Sequence, residues 1–365
     1  VHDLGRLHPH HAEPQAASAG RTRSVALWVL CLCALTTGLD MTITNVALPF
    51  IGRALDTSLG ELQWVVDSYN IVLAGLLVFG GALADRYGRR RIFLASYTLF
   101  AIASAAAAFS ATSGELIAAR SVMGVGAAGV TAPALAIIAT LYAPEERAGA
   151  IGVFVVFGAI GLTVGPIAGG FLLDNFWWGS VFLVNVPIVA AGVVAGMRTL
   201  PESRAPRPEG SPPGLDVVGA LLSVVGLALA LFGIIEGPSR GWTDPAVLVA
   251  IVVGASLIVL FARRELRAHD PLFDVRILRW PAVLAGSVTL FTAYFVFNSF
   301  LFLYPQYLQD VLSESIISVG LLLVPFSVVF GIASTRAPQV LARFGARATI
   351  AVGLAATAVA ALAFA

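Results

Sequence analysis

The stretch GGALADRYGRRRIF, residues 80–93, joins two long apolar runs and decides how the whole chain is read. Small residues at 80–82 allow a helix to approach a neighbour closely. Asp85 closes the first run, Gly88 permits a tight turn, and Arg89, Arg90 and Arg91 hold that turn in a polar phase. An arginine-rich stop that only fixes topology accounts for the composition, but the order of residues asks for more. A weaker copy, VLARFGARATI at 340–350, puts Arg343, Gly345 and Arg347 where the first has Arg86, Gly88 and Arg90, with Ala342 in place of Asp85. One polar turn repeated between two sets of apolar runs indicates a duplicated helical bundle in a membrane.

Composition agrees. Hydrophobic residues make up 58% of the 365-residue chain and charged residues 12%. The bilayer core is roughly 30 Å thick, so each apolar run of about 20 residues can cross it as a helix. Spans are expected near 25–50, 64–84, 92–110, 115–142, 148–173, 180–198, 216–236, 245–263, 281–308, 317–341 and 347–365, eleven in all. The 22 basic residues are all arginine. With the N-terminus inside, eighteen of the 22 fall in inner segments, and only Arg53 and Arg240 fall in outer loops. That asymmetry sets the orientation.

The expected organisation is a cytoplasmic disordered tail (1–24), an N-terminal six-helix bundle (25–198), a cytoplasmic linker (199–215), two inserted helices (216–263), a cytoplasmic loop (264–280) and a partial C-terminal bundle (281–365). The chain opens with Val1 and stops at AALAFA within an apolar run, so a C-terminally truncated sequence is expected. His2, His8, His10 and His11 belong to the tail; metal binding is their alternative reading. Cys31 and Cys33 point about 200° apart around one helix and read as packing residues. No Walker loop, HExxH array or nucleophile elbow is present, so the reading is not an enzyme, with no metal, no cofactor and no nucleic-acid partner.

The pattern GALADRYGRR, residues 81–90, resembles the signature loop of the major facilitator superfamily. LDMTITNVALP (39–49) is similar to the first-span motif of its fourteen-span drug:proton antiporters. LIAARSVMGVGAA (116–128) is similar to the fourth-span motif with its arginine, Arg120, although Met123 stands where the family usually has glutamine. GLTVGPIAGG (161–170) resembles the fifth-span antiporter motif, and LDVVGALL (215–222) the start of two extra helices. FWWGSVFLVNVPI follows a further family motif in part, keeping Asn185 and Pro187.

The resemblance implies an all-α polytopic fold of two six-helix bundles with two inserted helices, of which about the last three helices would be missing from this sequence. It also implies proton-coupled export of amphipathic drug-like molecules by alternating access, from a monomer in the plasma membrane with a cytoplasmic N-terminus. The partners would be a small-molecule substrate, protons and lipid, with the proton gradient as the energy source. A dedicated exporter of a metabolite or self-made antibiotic is the alternative, with a symporter or a non-transporting membrane protein behind it.

A charge at mid-helix costs on the order of 2.5–3.5 kcal/mol on insertion scales, so ionisable residues inside spans are functional candidates. Asp40 lies roughly 20 Å from the inner end of the first span, in the outer half of the bilayer, on the same side as Arg120 and Asp67. Asp40 is expected to carry the proton, the resemblance gives Arg120 the role of coupling it to conformation, and Asp67 is a further proton-coupling candidate. The competing readings are a packing role for Asp40, hydrogen-bonded to Thr36, Thr37 or Thr44; a counter-ion role for Arg120; and a helix-end role for Asp67. Asn45, about 140° from Asp40 around the helix, is expected to bond a neighbouring helix just before Pro49 ends the span.

Gly161, Gly165 and Gly169 form one smooth face beside Pro166, with Gly170 next to it, so a close helix contact is expected; the resemblance implies that this face meets the opposite bundle. Asp85, Arg86, Gly88, Arg89 and Arg90 are expected to form the inner gate. Arg336 is expected to snorkel. Asn298, Tyr304, Gln306 and Tyr307, with Gln309, line a substrate cavity or an interfacial aromatic belt.

Overall fold

The computed structural model describes residues 13–204, 216–268, 275–312, 318, 321–322 and 324–364. Within them the chain forms eleven α-helices: α1 (Glu13–Leu55), α2 (Leu59–Tyr87), α3 (Arg89–Ala108), α4 (Ser113–Leu141), α5 (Pro144–Asn175), α6 (Ser180–Leu183), α7 (Asn185–Thr199), α8 (Val217–Arg240), α9 (Pro245–Arg267), α10 (Pro281–Gln306) and α11 (Val324–Phe364). A 3₁₀ turn at Val275–Arg279 precedes α10, and a π turn at Tyr307–Val311 follows it. Residues 1–12 of the expected tail, 205–215 of the linker and 269–274 of the inner loop lie outside the described residues.

Local chemistry sets the helix ends. Ser58 and Glu61 form a reciprocal capping box at the start of α2, Thr112 caps α4 through Glu115 N, and Asp244 precedes Pro245 at the start of α9. Gly88, at φ 116°, breaks α2 from α3. Its counterpart Gly345, at φ 74°, kinks α11, so the two spans expected at 317–341 and 347–365 are joined as one helical element bent at the second copy of the turn. Asp85 does not end its helix, which continues to Tyr87, and Pro49 does not end α1, which runs on to Leu55. A proline costs a helix one backbone donor, and neighbouring helices supply the lost support in a packed bundle.

Among the described residues, nine segments are long and apolar enough to cross a membrane: Arg23–Leu55, Gly60–Tyr87, Arg89–Ala108, Ser113–Leu141, Pro144–Asn175, Ser180–Thr199, Val217–Arg240, Pro245–Arg267 and Gln339–Ala360. The sixth is α6 and α7 together. The other two expected spans fall on α10, whose described apolar stretch is the shorter Pro281–Phe297, and on the first half of α11. The chain is a multi-pass membrane protein.

Helix α1 packs on α5 and α7, α4 on α2 and α3, and α3 on α7. The core they enclose holds Leu30, Ile43, Tyr69, Phe93, Tyr97, Phe100, Met123, Ile137 and Phe182, all fully buried. Lipid is as apolar as leucine, so close backbone packing rather than hydrophobic burial holds such helices together. Gly124 shows this: a Cβ there would sit 2.6 Å from Tyr69 O, so α4 lies directly on α2.

The pair α8–α9 is a hairpin that docks on α2, where Gly75 meets Val224, Ser223 Oγ donates to Gly75 O at 2.9 Å, and Trp64 lies 6.0 Å from Phe232. α11 touches α5, with Gly331 against Val156.

Candidate functional site

A buried polar cluster sits where α1, α2, α3, α4 and the α6–α7 break converge. Asp40 of α1 is 0% exposed and Arg120 of α4 is 1% exposed. Arg120 Nη1 donates to Asp40 Oδ2 at 2.6 Å, and Nε donates to Val65 O at 3.0 Å. The guanidinium lies over the Tyr69 ring, 4.4 Å from its centroid, with Phe182 at 5.9 Å. Arg120 therefore keeps a carbonyl and two ring faces even when Asp40 carries no charge. Burying two charges is costly, and their attraction repays it only with good geometry and further hydrogen bonds.

Those further bonds come from a residue the sequence reading kept only as part of a motif. Asn185, the first residue of α7 and fully buried, donates through Nδ2 to Asp40 Oδ1 and to Ser104 Oγ, both at 3.1 Å. Ser104 Oγ in turn donates to Phe182 O at 2.8 Å. The asparagine of FLVNVPI was the signal available; nothing around Ser104 marked it out. Met123, in the place of the family's usual glutamine, is buried with its sulfur 3.9 Å from Arg120 Nη1.

The threonines do not compete for the Asp40 carboxylate. Thr36 donates to Leu32 O and meets Tyr97 Oη at 3.0 Å, Thr37 bonds Cys33 O and Ala34 O, and Thr44 bonds the backbone oxygen of Asp40. Asp67 is half-buried on α2 and, among the described residues, makes no ion pair with Arg120 or any other cation. Asn45 is exposed and makes no hydrogen bond among the described residues, contrary to the expected helix–helix bond. It lies on the outer side of α1, away from the packed face that carries Asp40. Cys31 and Cys33 are free and buried, and no cluster of metal-ligating residues occurs among the described residues.

The 80–93 turn forms a second polar site. Asp85 and Arg89 pair at 2.7 Å across Gly88, and Arg89 Nη1 reaches Thr140 Oγ1 of α4 at 3.1 Å. The chain leaving α7 lies over this turn. Ser203 O accepts from Arg89 N at 2.9 Å, Glu202 Oε1 accepts from Arg90 N at 3.2 Å, Glu202 Oε2 lies 3.6 Å from Arg91 Nε, and Met197 O accepts from Arg90 Nη2. Glu202 thus supplies the N-terminal cap that Gly88 cannot give α3. Arg86 instead rests 5.5 Å from the Tyr87 ring.

The glycine face of α5 makes its close contact, and among the described residues it makes it with α1 rather than with the opposite bundle. A Cβ on Gly161 would meet Leu39 N at 2.8 Å, one on Gly165 would meet Ile43 N at 3.1 Å, and one on Gly169 would meet Ile43 Cγ1 at 3.1 Å. All three neighbours are on α1, the helix that carries Asp40. The contact joins two helices of the same packed group because a smooth backbone face lets α1 approach to backbone distance. Pro166 and Gly170 are buried beside it. The expectation that this face meets the opposite half is corrected: α5 touches α11 through Val156.

The remaining candidates lie apart from this cluster. Tyr304 is half-buried and stacked on Phe300 at 4.8 Å, Tyr307 is exposed, and the side chains of Asn298, Gln306 and Gln309 lie outside the described residues. Arg336 is exposed.

The chain is similar to known proteins in sequence and in fold. Residues 30–365 match the family profile described as Major Facilitator Superfamily. The chain is 35% identical over 321 residues to the multidrug resistance protein Stp of Mycobacterium tuberculosis (strain CDC 1551 / Oshkosh), an alignment that covers 87% of this chain and 58% of that protein. It is 33% identical over 346 residues to a methylenomycin A resistance protein of Bacillus subtilis (strain 168), covering 94% of this chain and 73% of the relative. The chain thus spans less than two thirds of the length of Stp. A solved structure of the proton:xylose symporter XylE, bound to 6-bromo-6-deoxy-D-glucose, superposes with a TM-score of 0.60 at 16% identity, over 89% of this chain and 70% of that one, and so shares the fold. With the signature turn, the helix packing and the profile match together, the chain belongs to the major facilitator superfamily.

Proposed function

We propose that the protein is a proton-coupled antiporter that exports amphipathic small molecules across the plasma membrane, with its N-terminus in the cytoplasm. The observation that carries this reading is the Asp40–Arg120 pair, fully enclosed by one group of helices. A carboxylate with a single cationic partner in a low-dielectric bundle can gain or lose one proton and thereby switch the charge of the site. In the cycle, a proton from outside neutralises Asp40, the bound molecule leaves outward, and deprotonation inside resets the carrier. Arg120 holds the site together in both states through Val65 O and the Tyr69 ring.

Residues 25–198 move as one bundle against the helices from 281 onward, joined through the 199–215 linker, the two inserted helices and the 264–280 loop. The Asp85–Arg89 turn latches the inner side, Arg90 holds it to the chain leaving α7, and Arg86 belongs to the same turn beside Tyr87. Asp67 is an auxiliary carboxylate, and Tyr304 with Asn298, Gln306 and Tyr307 contributes to the substrate cavity. Export of noxious compounds is supported by relatives named for multidrug and methylenomycin A resistance.

The test is transport by the full-length protein in proteoliposomes with an imposed pH gradient, using a fluorescent lipophilic cation. Movement of the cation opposite to the proton, abolished when the gradient is collapsed, supports antiport. Movement in the same direction as the proton identifies a symporter and overturns this reading, as does flux indifferent to the gradient.

A further inference from the structure

The acceptor oxygen of Asn185 is idle. Both hydrogens of Nδ2 are used, on Asp40 Oδ1 and Ser104 Oγ, whereas Oδ1 is buried with no hydrogen-bond partner. An unpaired buried acceptor is costly and calls for an explanation. Asn185 also stands at a structural joint, directly after the break at Val184 between α6 and α7.

The cluster reads as a chain of hydrogen bonds with a direction. Asn185 donates to the Asp40 carboxylate, Asn185 donates to Ser104, and Ser104 donates to the Phe182 carbonyl in α6. That direction holds only while Asp40 is ionised. Oδ2 already faces the Arg120 guanidinium, which has no acceptor, so an arriving proton binds Oδ1. Oδ1 then becomes a donor facing the Asn185 amide donor, and the two repel. A half-turn of the carboxamide removes the conflict: its oxygen accepts from Asp40 O–H, and Ser104 O–H turns from Phe182 O to the same oxygen. Only a side chain with a donor and an acceptor in one plane can serve both states. Among the described residues the other titratable or charged groups of the cluster are Arg120 on α4 and Tyr69 on α2, with Cys33 of α1 near Tyr69 and Tyr97 of α3 beyond at Thr36.

We propose that Asn185 is a positioning residue that reads the protonation state of Asp40 and relays it, by carboxamide reversal through Ser104, to the Phe182 carbonyl beside the α6–α7 break. This rests on Asp40 being the proton carrier. One proton from water adds to Asp40 Oδ1 and leaves by the same atom, and no electrons move. The relay ties the charge switch to backbone hydrogen bonding at the one interrupted helix of the cluster, the kind of bistable element that conformational coupling needs.

The test is isotope-edited infrared difference spectroscopy of the full-length protein in liposomes, titrated with acid. Asparagine carries a carbon-13 side-chain carbonyl in one sample, and phenylalanine carries a carbon-13 backbone carbonyl in another. Asp40→Asn identifies the Asp40 carboxyl band, and Asn185→Gln identifies the Asn185 carbonyl band. If Asn185→Gln does not fold, the response lost in Asp40→Asn gives the assignment. As the Asp40 band appears, the Asn185 band is expected to move to lower frequency with the same midpoint, because its oxygen gains donors. The Phe182 band is expected to move to higher frequency. In Ser104→Ala the Asn185 shift persists and the Phe182 shift is lost. An Asp40 band that titrates while Asn185 stays unmoved overturns the relay and leaves the carrier assignment intact. Absence of any titrating Asp40 band overturns both.

Discussion

Asp40 Oδ2 and Arg120 Nη1 lie 2.6 Å apart at essentially zero exposure, although the two residues are 80 positions apart in sequence. Among the described residues each is the other's one oppositely charged partner, so removing one leaves an unpaired charge in the bundle. Asp40→Ala or Arg120→Ala is expected to destabilise the protein by about 3 kcal/mol or more. Asp40→Leu/Arg120→Met, which removes both charges, should be markedly less destabilised than the sum of its single variants. A double-mutant cycle on thermal unfolding in detergent measures this; additivity within about 0.5 kcal/mol would show that the pair is not coupled.

The α1–α5 contact rests on missing side chains. A Cβ at Gly161 would press on backbone atoms of α1 at Leu35 and Leu39, which cannot yield as a flexible side chain can. Gly161→Ala is expected to cost about 1–3 kcal/mol by forcing the helices apart. Gly149→Ala, on the same helix with nothing within 4 Å, should be neutral or slightly stabilising. Comparing the melting temperatures of the two variants checks the claim, and equal shifts contradict it.

At the signature turn, stability and function separate. Asp85–Arg89 is a partly exposed i,i+4 pair with Asp85 44% exposed, so Asp85→Asn should cost only about 0.5 kcal/mol. Gly88→Ala should cost more, about 1–3 kcal/mol, because φ is 116° and the new Cβ would lie 2.6 Å from Glu202 Oε1. Asp85→Asn is nevertheless expected to slow transport several-fold if the pair latches the inner side. Unfolding and vesicle flux measured on the same preparations distinguish the two effects.

Asp216 links the start of α8 to the end of α9. It caps α8 through Gly219 N at 2.8 Å and receives Arg264 Nε at 3.0 Å. The Arg264 hydrogen bond, against a smaller opposing effect of burial, holds its carboxyl below the usual carboxylate range. A carboxyl depressed in the folded state stabilises above its unfolded value, about 3.9, and that stabilisation is lost as pH falls through the folded value. Asp216→Asn keeps an acceptor for the cap and should remove this acid sensitivity. Asp216→Ala should lose the cap as well, costing about a further 1 kcal/mol. Melting temperatures of the three proteins between pH 7 and about pH 3 provide the check.

The span layout was legible because a bilayer imposes long apolar runs, and the turn at Gly88 and its echo at Gly345 could be read from one small residue flanked by arginines. Asp40 and Arg120 stood out because charge is rare in such runs. Asn185 and Ser104 did not, since neutral polar residues are common in membrane helices and their partners come from helices distant in sequence. The α5 glycines announced a close contact but not its partner, because a smooth face fits any neighbour; only the packed bundle selects α1. The clasp of Glu202 over the turn was hidden for the same reason, as it forms from a loop that carries no periodic signal.

The decisive measurement compares wild-type and Asp40→Asn full-length protein in the same proteoliposomes, under two regimes. In exchange of labelled for unlabelled substrate without a pH gradient, both should be active, since this regime needs no net proton movement. In uphill accumulation driven by an imposed pH gradient, wild type should concentrate substrate and Asp40→Asn should fail. Uphill transport by Asp40→Asn equal to that of wild type would contradict the assignment of Asp40 as the proton carrier.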